Sequence, residues 1–207
     1  MKKLILFCIA SLLILFLWFI NRYSSIFLTM FVVFILYFFR DPNREINTDE
    51  RLILSPADGR VLGVIEEEDL EHKKKQIKID IFLSLLDVHV IRFPISGTIS
   101  KIQYNEGSFL NALNKNAVVR NENVVLNIVN DKNQATVRMI AGFFARRIVC
   151  YRNTGEHARM GEKLGRIIFG SRVQLCIPID KIGCLKVKEG DRVKAGLSVL
   201  GYLHFEP

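Results

Sequence analysis

The first 39 residues carry two apolar runs, three basic side chains (Lys2, Lys3, Arg22) and no acid. Leu4–Ile20 is 17 residues long, broken only by Ser11, and Ile26–Phe39 adds 14 more after the polar step Asn21-Arg22-Tyr23-Ser24-Ser25. As helices these runs reach ~25 Å and ~21 Å at 1.5 Å per residue. Each falls short of the ~30 Å hydrocarbon core of a bilayer. The expectation is a membrane anchor over residues 1–40, an N-terminal hydrophobic hairpin of two short helices that crosses or dips into the bilayer. A hairpin returns the chain to the side it left, and Lys2, Lys3 and Arg40 favour the cytoplasmic side for both ends. A cleaved signal peptide would explain the first run but not the second, and no small-residue cleavage site follows Ile20.

Arg40-Asp41-Pro42-Asn43-Arg44 is an abrupt polar stop that separates the anchor from a domain over residues 41–207. No long segment of 3.6-residue periodicity follows it. Ile77-Lys78-Ile79-Asp80-Ile81, Thr98-Ile99-Ser100-Lys101-Ile102 and part of Val187–Val193 alternate as half-buried strands do. Glu66–Lys75 reads as a charged hairpin tip, and only Phe109–Asn116 and Ser84–Val88 suggest helical turns. The predicted class is all-β with small helical insertions. Lys186–Leu200 resembles the closing strands of lipoyl and biotinyl carrier domains. Ser55-Pro-Ala-Asp-Gly-Arg-Val61 and Ile95-Ser-Gly-Thr-Ile99 resemble the turns that open strands in the same fold. That resemblance implies a flattened β barrel-sandwich and says nothing about chemistry. The lysine that such carriers modify, in its tight hairpin turn, is missing.

The net charge is +8, of which +5 lies beyond residue 39. Without zinc-finger spacing, a Lys/Arg tract or aromatic-basic interleaving, this excess points to an anionic surface rather than to nucleic acid. Cys8, Cys150, Cys176 and Cys184 form no CxxC pair and sit among apolar residues, as buried thiols in a reducing compartment do. No metal-ligand cluster is apparent.

Candidate chemistry centres on Gly170-Ser171. Ile167-Ile168-Phe169 leads in, and Arg172-Val173-Gln174-Leu175 leads out as an alternating strand. Gly170 has no Cβ, so its carbonyl is open to close approach. A neighbouring hydroxyl can attack such a carbonyl, given a base and oxyanion donors. The plainer alternative is a glycine-marked bulge followed by a hydrogen-bonded serine. Asp58 in a Pro/Gly turn, and Asp87, His89 and Arg92 in Phe82–Ile95, supply acids, a proton carrier and a fork for carboxylate or phosphate. The residues alone leave the base open among His89, Asp58 and Asp87. Eight basic side chains against two acidic ones between Arg138 and Arg172 make that stretch cationic.

Four stretches together resemble the phosphatidylserine decarboxylases, over most of residues 50–207. They are Ser55–Arg60, Phe82–Ile95, Tyr104–Leu113 with Asn121-Glu122-Asn123, and Ala141–Cys150 running on to Gly161–Arg172. The Phe-Gly-Ser sequence places the chain with the short subfamily, where longer members have Leu-Gly-Ser. The resemblance implies a proenzyme that cleaves itself between Gly170 and Ser171. The products would be a large chain 1–170 and a small chain 171–207 that remain together as a heterodimer. Ser171 would become a pyruvoyl group, an electron sink made from the chain itself, with no metal. Ser171, His89 and Asp58 match catalytic positions. Arg92, Phe109, Asn111, Arg146 and Arg147 are candidates for binding phosphatidylserine. Arg92 stands where longer members have a second histidine, so that histidine's role does not transfer. Two other functions stay in view: a non-catalytic membrane-tethered adaptor, and a pyruvoyl enzyme acting on another serine phospholipid such as one with ether-linked tails.

Overall fold

The computed structural model describes residues 2–68, 74–110, 117–142, 147–168 and 171–204, with side chains from residue 11 onward. They form two units, divided between Arg40 and Asp41.

The first unit is one continuous helix, α1 (Lys2–Phe38). The expected hairpin is therefore not present. The polar step that suggested a turn holds no glycine or proline, and its Ser25 hydroxyl, like that of Thr29 beyond it, is absorbed by the helix. Ser25 Oγ donates to Asn21 O at 2.9 Å, and Thr29 Oγ1 donates to Ser25 O at 2.9 Å. Arg22 lies over the Trp18 ring, 5.4 Å from its centre, which shelters the one charge in mid-helix. The 28 residues Ser11–Phe38 contain an 18-residue stretch with a mean hydropathy of 1.7, and the helix is long and apolar enough to cross a membrane.

The second unit is built from strands. In chain order they are β1 (Leu52–Leu54), β2 (Gly59–Glu68), β3 (Lys75–Leu83), β4 (Val90–Arg92), β5 (Gly97–Asn105), β6 (Asn123–Val129) and β7 (Gln134–Ile140). There follow β8 (Ile148–Cys150), β9 (His157–Ala158), β10 (Lys163–Ile167), β11 (Ser171–Pro178), β12 (Ile182–Leu185), β13 (Arg192–Val193) and β14 (Val199–Leu203). One helical turn, α2 (Ala117–Arg120), interrupts them. It follows the predicted helical stretch, of which residues 111–116 lie outside the described residues. Ser84–Val88 is a turn, and the predicted charged hairpin is formed by β2 and β3, which pair out to Glu68 with Lys75; residues 69–73 of its tip lie outside the described residues.

Eight strands form an antiparallel sheet in the order β13-β2-β3-β11-β7-β6-β5-β9, beside the three-stranded sheets β1-β14-β12 and β4-β10-β8. Among the described residues no sheet closes on itself, and the architecture is one of open antiparallel sheets. All three contribute to one apolar core, with Ile79 and Ile81 of β3, Val137 of β7, Val173 and Leu175 of β11, Ile91 of β4, Leu164 of β10 and Leu200 of β14. The alternation that predicted strands is what builds this core. Apart from Ser171, the buried inward residues of β3 and β11 are aliphatic, and outward ones such as Lys78, Asp80, Arg172 and Gln174 are polar. Of the described cysteines, Cys184 is exposed rather than buried, because it sits on β12 at the margin of a small sheet. Cys150 and Cys176 are half-buried, and burial chiefly pushes the Cys176 thiol up to about 12.

The segment Asp41–Ile46 is threaded into this unit. Arg44 grips Asp58 with both ends of its fork, at 2.7 and 2.9 Å, and also donates to Ala195 O. Asp41 accepts from Arg92 at 3.4 Å and pairs with Lys163. Ile46 fills the space over Gly161 and Gly196, where an added Cβ would meet it at 2.4 and 2.9 Å. The side chains of Arg44 and Asp58 are only 5% and 12% exposed, so removing one partner strands a buried charge. Arg44→Ala should therefore cost about 3–5 kcal/mol. The double substitution Arg44→Met/Asp58→Asn should recover most of that loss. Urea unfolding of the full chain in detergent checks both. A loss below ~1 kcal/mol for Arg44→Ala, the range of an exposed pair, would remove this clamp from the account of stability.

Candidate active site

The Gly-Ser junction lies between β10 and β11, and one short piece of chain holds both of its flanks. On the upstream side, Ile167 N donates to His89 O at 3.2 Å and Ile168 N donates to Arg147 O at 3.2 Å. On the downstream side, Ser171 is paired with Leu83, and Arg172 lies between Phe82 and Ile140. Leu83 ends β3 and His89 immediately precedes β4, so the turn between those strands spans the junction. Phe169 and Gly170 themselves lie outside the described residues.

That turn is closed by its own side chains. Ser84 donates to Asp87 Oδ2 through its backbone N at 2.8 Å and its Oγ at 2.7 Å, and Asp87 N donates to Ser84 O at 3.0 Å. The Asp87 carbonyl then accepts His89 Nδ1 at 2.9 Å. A carbonyl only accepts, so Nδ1 carries a proton, and in the neutral ring Nε2 is the basic nitrogen. His89 is 1% exposed. Its orientation is set by a four-residue turn that the sequence displays as Ser-Leu-Leu-Asp.

Ser171 sits in the inward row of β11 with Val173 and Leu175, and it is completely buried. Its Oγ has no hydrogen-bond partner among the described residues. A buried hydroxyl left unpaired costs about 1–3 kcal/mol relative to a satisfied one. Such groups are rare enough in folded proteins to call for a reason.

Asp58 occupies a different place. Its carboxylate is engaged by Arg44 and by the Ala195 N–H at 2.8 Å. The neighbouring Gly59 begins β2 against the end of β3, where an added Cβ would come within 2.1 Å of Phe82 O. Arg60, Phe82 and Arg172 form one row across β2, β3 and β11, so Asp58 and Ser171 lie at the same end of nearby strands. The two strand spacings of that row amount to ~10 Å.

Arg92 is 7% exposed and donates to Gly161 O at 2.9 Å as well as to Asp41. Burial, with the nearby Arg44, lowers its pKa. Its fork is thus turned onto the chain rather than towards a free anion. The predicted residues therefore separate into two groups: His89 with Ser171 at the junction, and Asp58 with Arg92 around Arg44.

The remaining candidates fall as follows. Phe109 is partly buried against the core, and Arg147 is exposed. Asn111 and Arg146 lie outside the described residues. Asn121 is spent on backbone, with its amide donating to Leu110 O and Ala141 O and its Oδ1 accepting from Leu110 N. Asn123 donates to Asn121 O and accepts from Asn105 and Arg138. Within the cationic stretch, Arg152 pairs with Glu162 at 2.8 Å and Arg172 pairs with Asp80. Sequence reasoning passed over Arg44, Asp41 and Asp80. The first two were visible only as a polar stop, and the third only as the polar member of an alternating strand.

Comparison with known proteins matches this arrangement to one family. The sequence profile described as phosphatidylserine decarboxylase matches residues 31–201. A phosphatidylserine decarboxylase proenzyme of Carboxydothermus hydrogenoformans is 40% identical over 183 residues, covering 88% of this chain and 85% of its own length. Proteins of the same name from Solibacter usitatus and Desulfotalea psychrophila are 39% identical over 183 residues and 41% identical over 174. The first covers 88% of this chain and 85% of its own length, the second 82% and 79%. The chain belongs to the phosphatidylserine decarboxylase family.

Proposed function

We propose that this chain is a proenzyme that cleaves itself between Gly170 and Ser171 and then decarboxylates phosphatidylserine to phosphatidylethanolamine. The observation that carries the reading is the buried, unpartnered Ser171 hydroxyl at a junction whose upstream flank is bonded to His89. Family membership sets the reaction class and removes the non-catalytic adaptor from consideration.

The self-cleavage balances on the chain's own atoms. Ser171 Oγ attacks the Gly170 carbonyl carbon, giving its proton to a base, for which we take His89 Nε2, the basic nitrogen of a buried ring whose backbone is bonded to the upstream flank. The Gly170–Ser171 C–N bond breaks, its nitrogen takes up a proton, and an ester replaces the amide. Loss of the Ser171 Cα proton then breaks the Cβ–Oγ bond, and Oγ departs in the new Gly170 carboxylate. The dehydroalanine left behind tautomerises, adds water and releases ammonia, leaving a ketone.

Ser171 suits this conversion. Its Cβ becomes a methyl group, so the buried position that offers Oγ no partner ends up holding an apolar group. The pyruvoyl group so formed supplies an electron sink for the bond that loses CO₂. His89 is proposed to hold at Nε2 the proton returned to the substrate carbon. The two products stay interlocked as a heterodimer, because residues 171–207 supply β11 between β3 and β7, β13 beside β2 and β14 beside β1.

The apolar helix α1 suits a membrane enzyme acting on a two-tailed lipid. If α1 crosses once, its two ends lie on opposite faces, and the charges at both ends no longer decide the side. We place the domain on the cytoplasmic side because its described cysteines are all free thiols.

Intact mass under denaturing conditions tests the cleavage. The expected result is two chains, the smaller being Ser171–Pro207 less about 17 mass units, since a ketone replaces the amine (about 1 unit) and a methyl replaces the Cβ hydroxymethyl (about 16 units). Ser171→Ala should remain one chain near 23.8 kDa. His89→Ala should lose roughly 10²–10⁴-fold in decarboxylation; near-normal turnover in that variant would take His89 out of the mechanism. For sidedness, a membrane-impermeant maleimide should label the exposed Cys184 only after cells are permeabilised. Labelling in intact cells would put the domain outside.

A further inference from the structure

Cleavage creates a mechanical problem at the reacting position. In the intact chain residue 171 is tied from both sides, upstream through Ile167 and Ile168 and downstream through β11. Once the bond to Gly170 is broken, the group derived from Ser171 is a chain end attached only through Arg172. Chain ends fray unless something ties them down. Residue 171 is also the least secured position of β11, paired with β3 through Leu83 but preceding the first pair with β7, which is Arg172 with Ile140.

The outer face of the sheet supplies the tie. Side chains of a strand alternate, so Ser171 points into the core and Arg172 points the opposite way. There Arg172 meets Asp80 of β3 through Nε and Nη2, one contact to each carboxylate oxygen. Gln174 Nε2 donates to Asp80 Oδ2 at 3.1 Å. Asp80 is 2% exposed and the Arg172 side chain 12%, so this is a buried two-point clamp and not a surface pair. It spans β3 and β11 diagonally, since the direct partner of Asp80 is Gln174 and that of Arg172 is Phe82. Asp80 thus grips the residue next to the reactive position from the back of the sheet, without facing that position.

We propose that Asp80 is a positioning residue for the active small chain: through Arg172 it holds the new N-terminus of β11 in register after self-cleavage. The proposal rests on the self-cleavage reading. It assigns the clamp to the mature enzyme, because the uncleaved precursor is held at residues 167 and 168 as well.

The experiment uses the full chain in detergent and compares wild type with Asp80→Asn and Arg172→Lys. The second variant keeps a cation opposite Asp80 but loses the fork. Three quantities are read: cleavage by intact mass, deuterium uptake at the start of the small chain, and kcat and KM for phosphatidylserine. Both variants should cleave. In cleaved Asp80→Asn the first amides of β11 should exchange about 10-fold faster or more, while those from Leu175 onward are unchanged. Its kcat should fall roughly 10- to 100-fold with KM within about 3-fold, as expected when a reacting group is misplaced and substrate binding is not. Arg172→Lys should lie between it and wild type. Wild-type exchange and kcat in cleaved Asp80→Asn would overturn the proposal. Failure of both variants to cleave would overturn it too, since the clamp would then act on the precursor. A wild type that never cleaves would instead sink the self-cleavage reading beneath it.

Discussion

The register of β11 between β3 and β7 is the constraint on which the rest of the site depends. Pairing Val173 with Ile81 and Met139 sends Val173, Leu175 and Ile177 into the core and carries Ser171 in with them. A slip of one residue would put Ser171 on the polar face and bury Arg172 among aliphatic side chains. Burial of Ser171 is therefore enforced by apolar residues up to six positions away, each worth about 1.5–3 kcal/mol when fully buried. A strand this strongly specified can carry an unsatisfied hydroxyl at its first position.

The second constraint is electrostatic and works at longer range along the chain. Arg44 and Asp41, just beyond α1, tie the turn before β2, the end of β4 and the start of β10 into one network, buried at Arg44, Asp58 and Arg92 and open to solvent at Lys163. The polar stop after the helix is thus part of the folded domain and not a spacer. A buried carboxylate with two cationic neighbours and a backbone donor is held in one orientation, and that rigidity passes to Gly59 and the β2–β3 contact beside it. The junction is flanked by two kinds of rigidity, an apolar strand on one side and a charged clamp on the other. The proposed roles of His89 and Ser171 need both, since proton transfer demands positions held to within a few tenths of an ångström.

Several features were legible because they are local. Alternation at Ile77–Ile81 and Arg172–Leu175 marked β3 and β11, since a strand facing a core must repeat every two residues. The candidates His89 and Ser171 could be named because their surroundings resembled a family over short, contiguous stretches. The hairpin expectation failed for an equally local reason. Serine and asparagine suggest a turn by composition, yet hydroxyls bonded back to the preceding helical carbonyls keep the helix going. Arg92 looked like an anion-binding fork because its partners, Asp41 and Gly161, lie 51 and 69 positions away.

By itself, then, the sequence determined an apolar N-terminal helix region, an all-β domain, and a serine at the head of a half-buried strand. Each of these follows from the periodicity and composition of contiguous residues. Only the tertiary structure decided that α1 is unbroken, that Asp58 and Arg92 gather around Arg44, and that Asn121 serves the backbone. It also decided that Asp80 stands behind the residue next to Ser171, 92 positions apart in the chain. The physical reason is the same throughout. Hydrophobic alternation repeats along the chain and can be read from it, whereas a charge finds its partner through the register of strands that only the folded chain brings together.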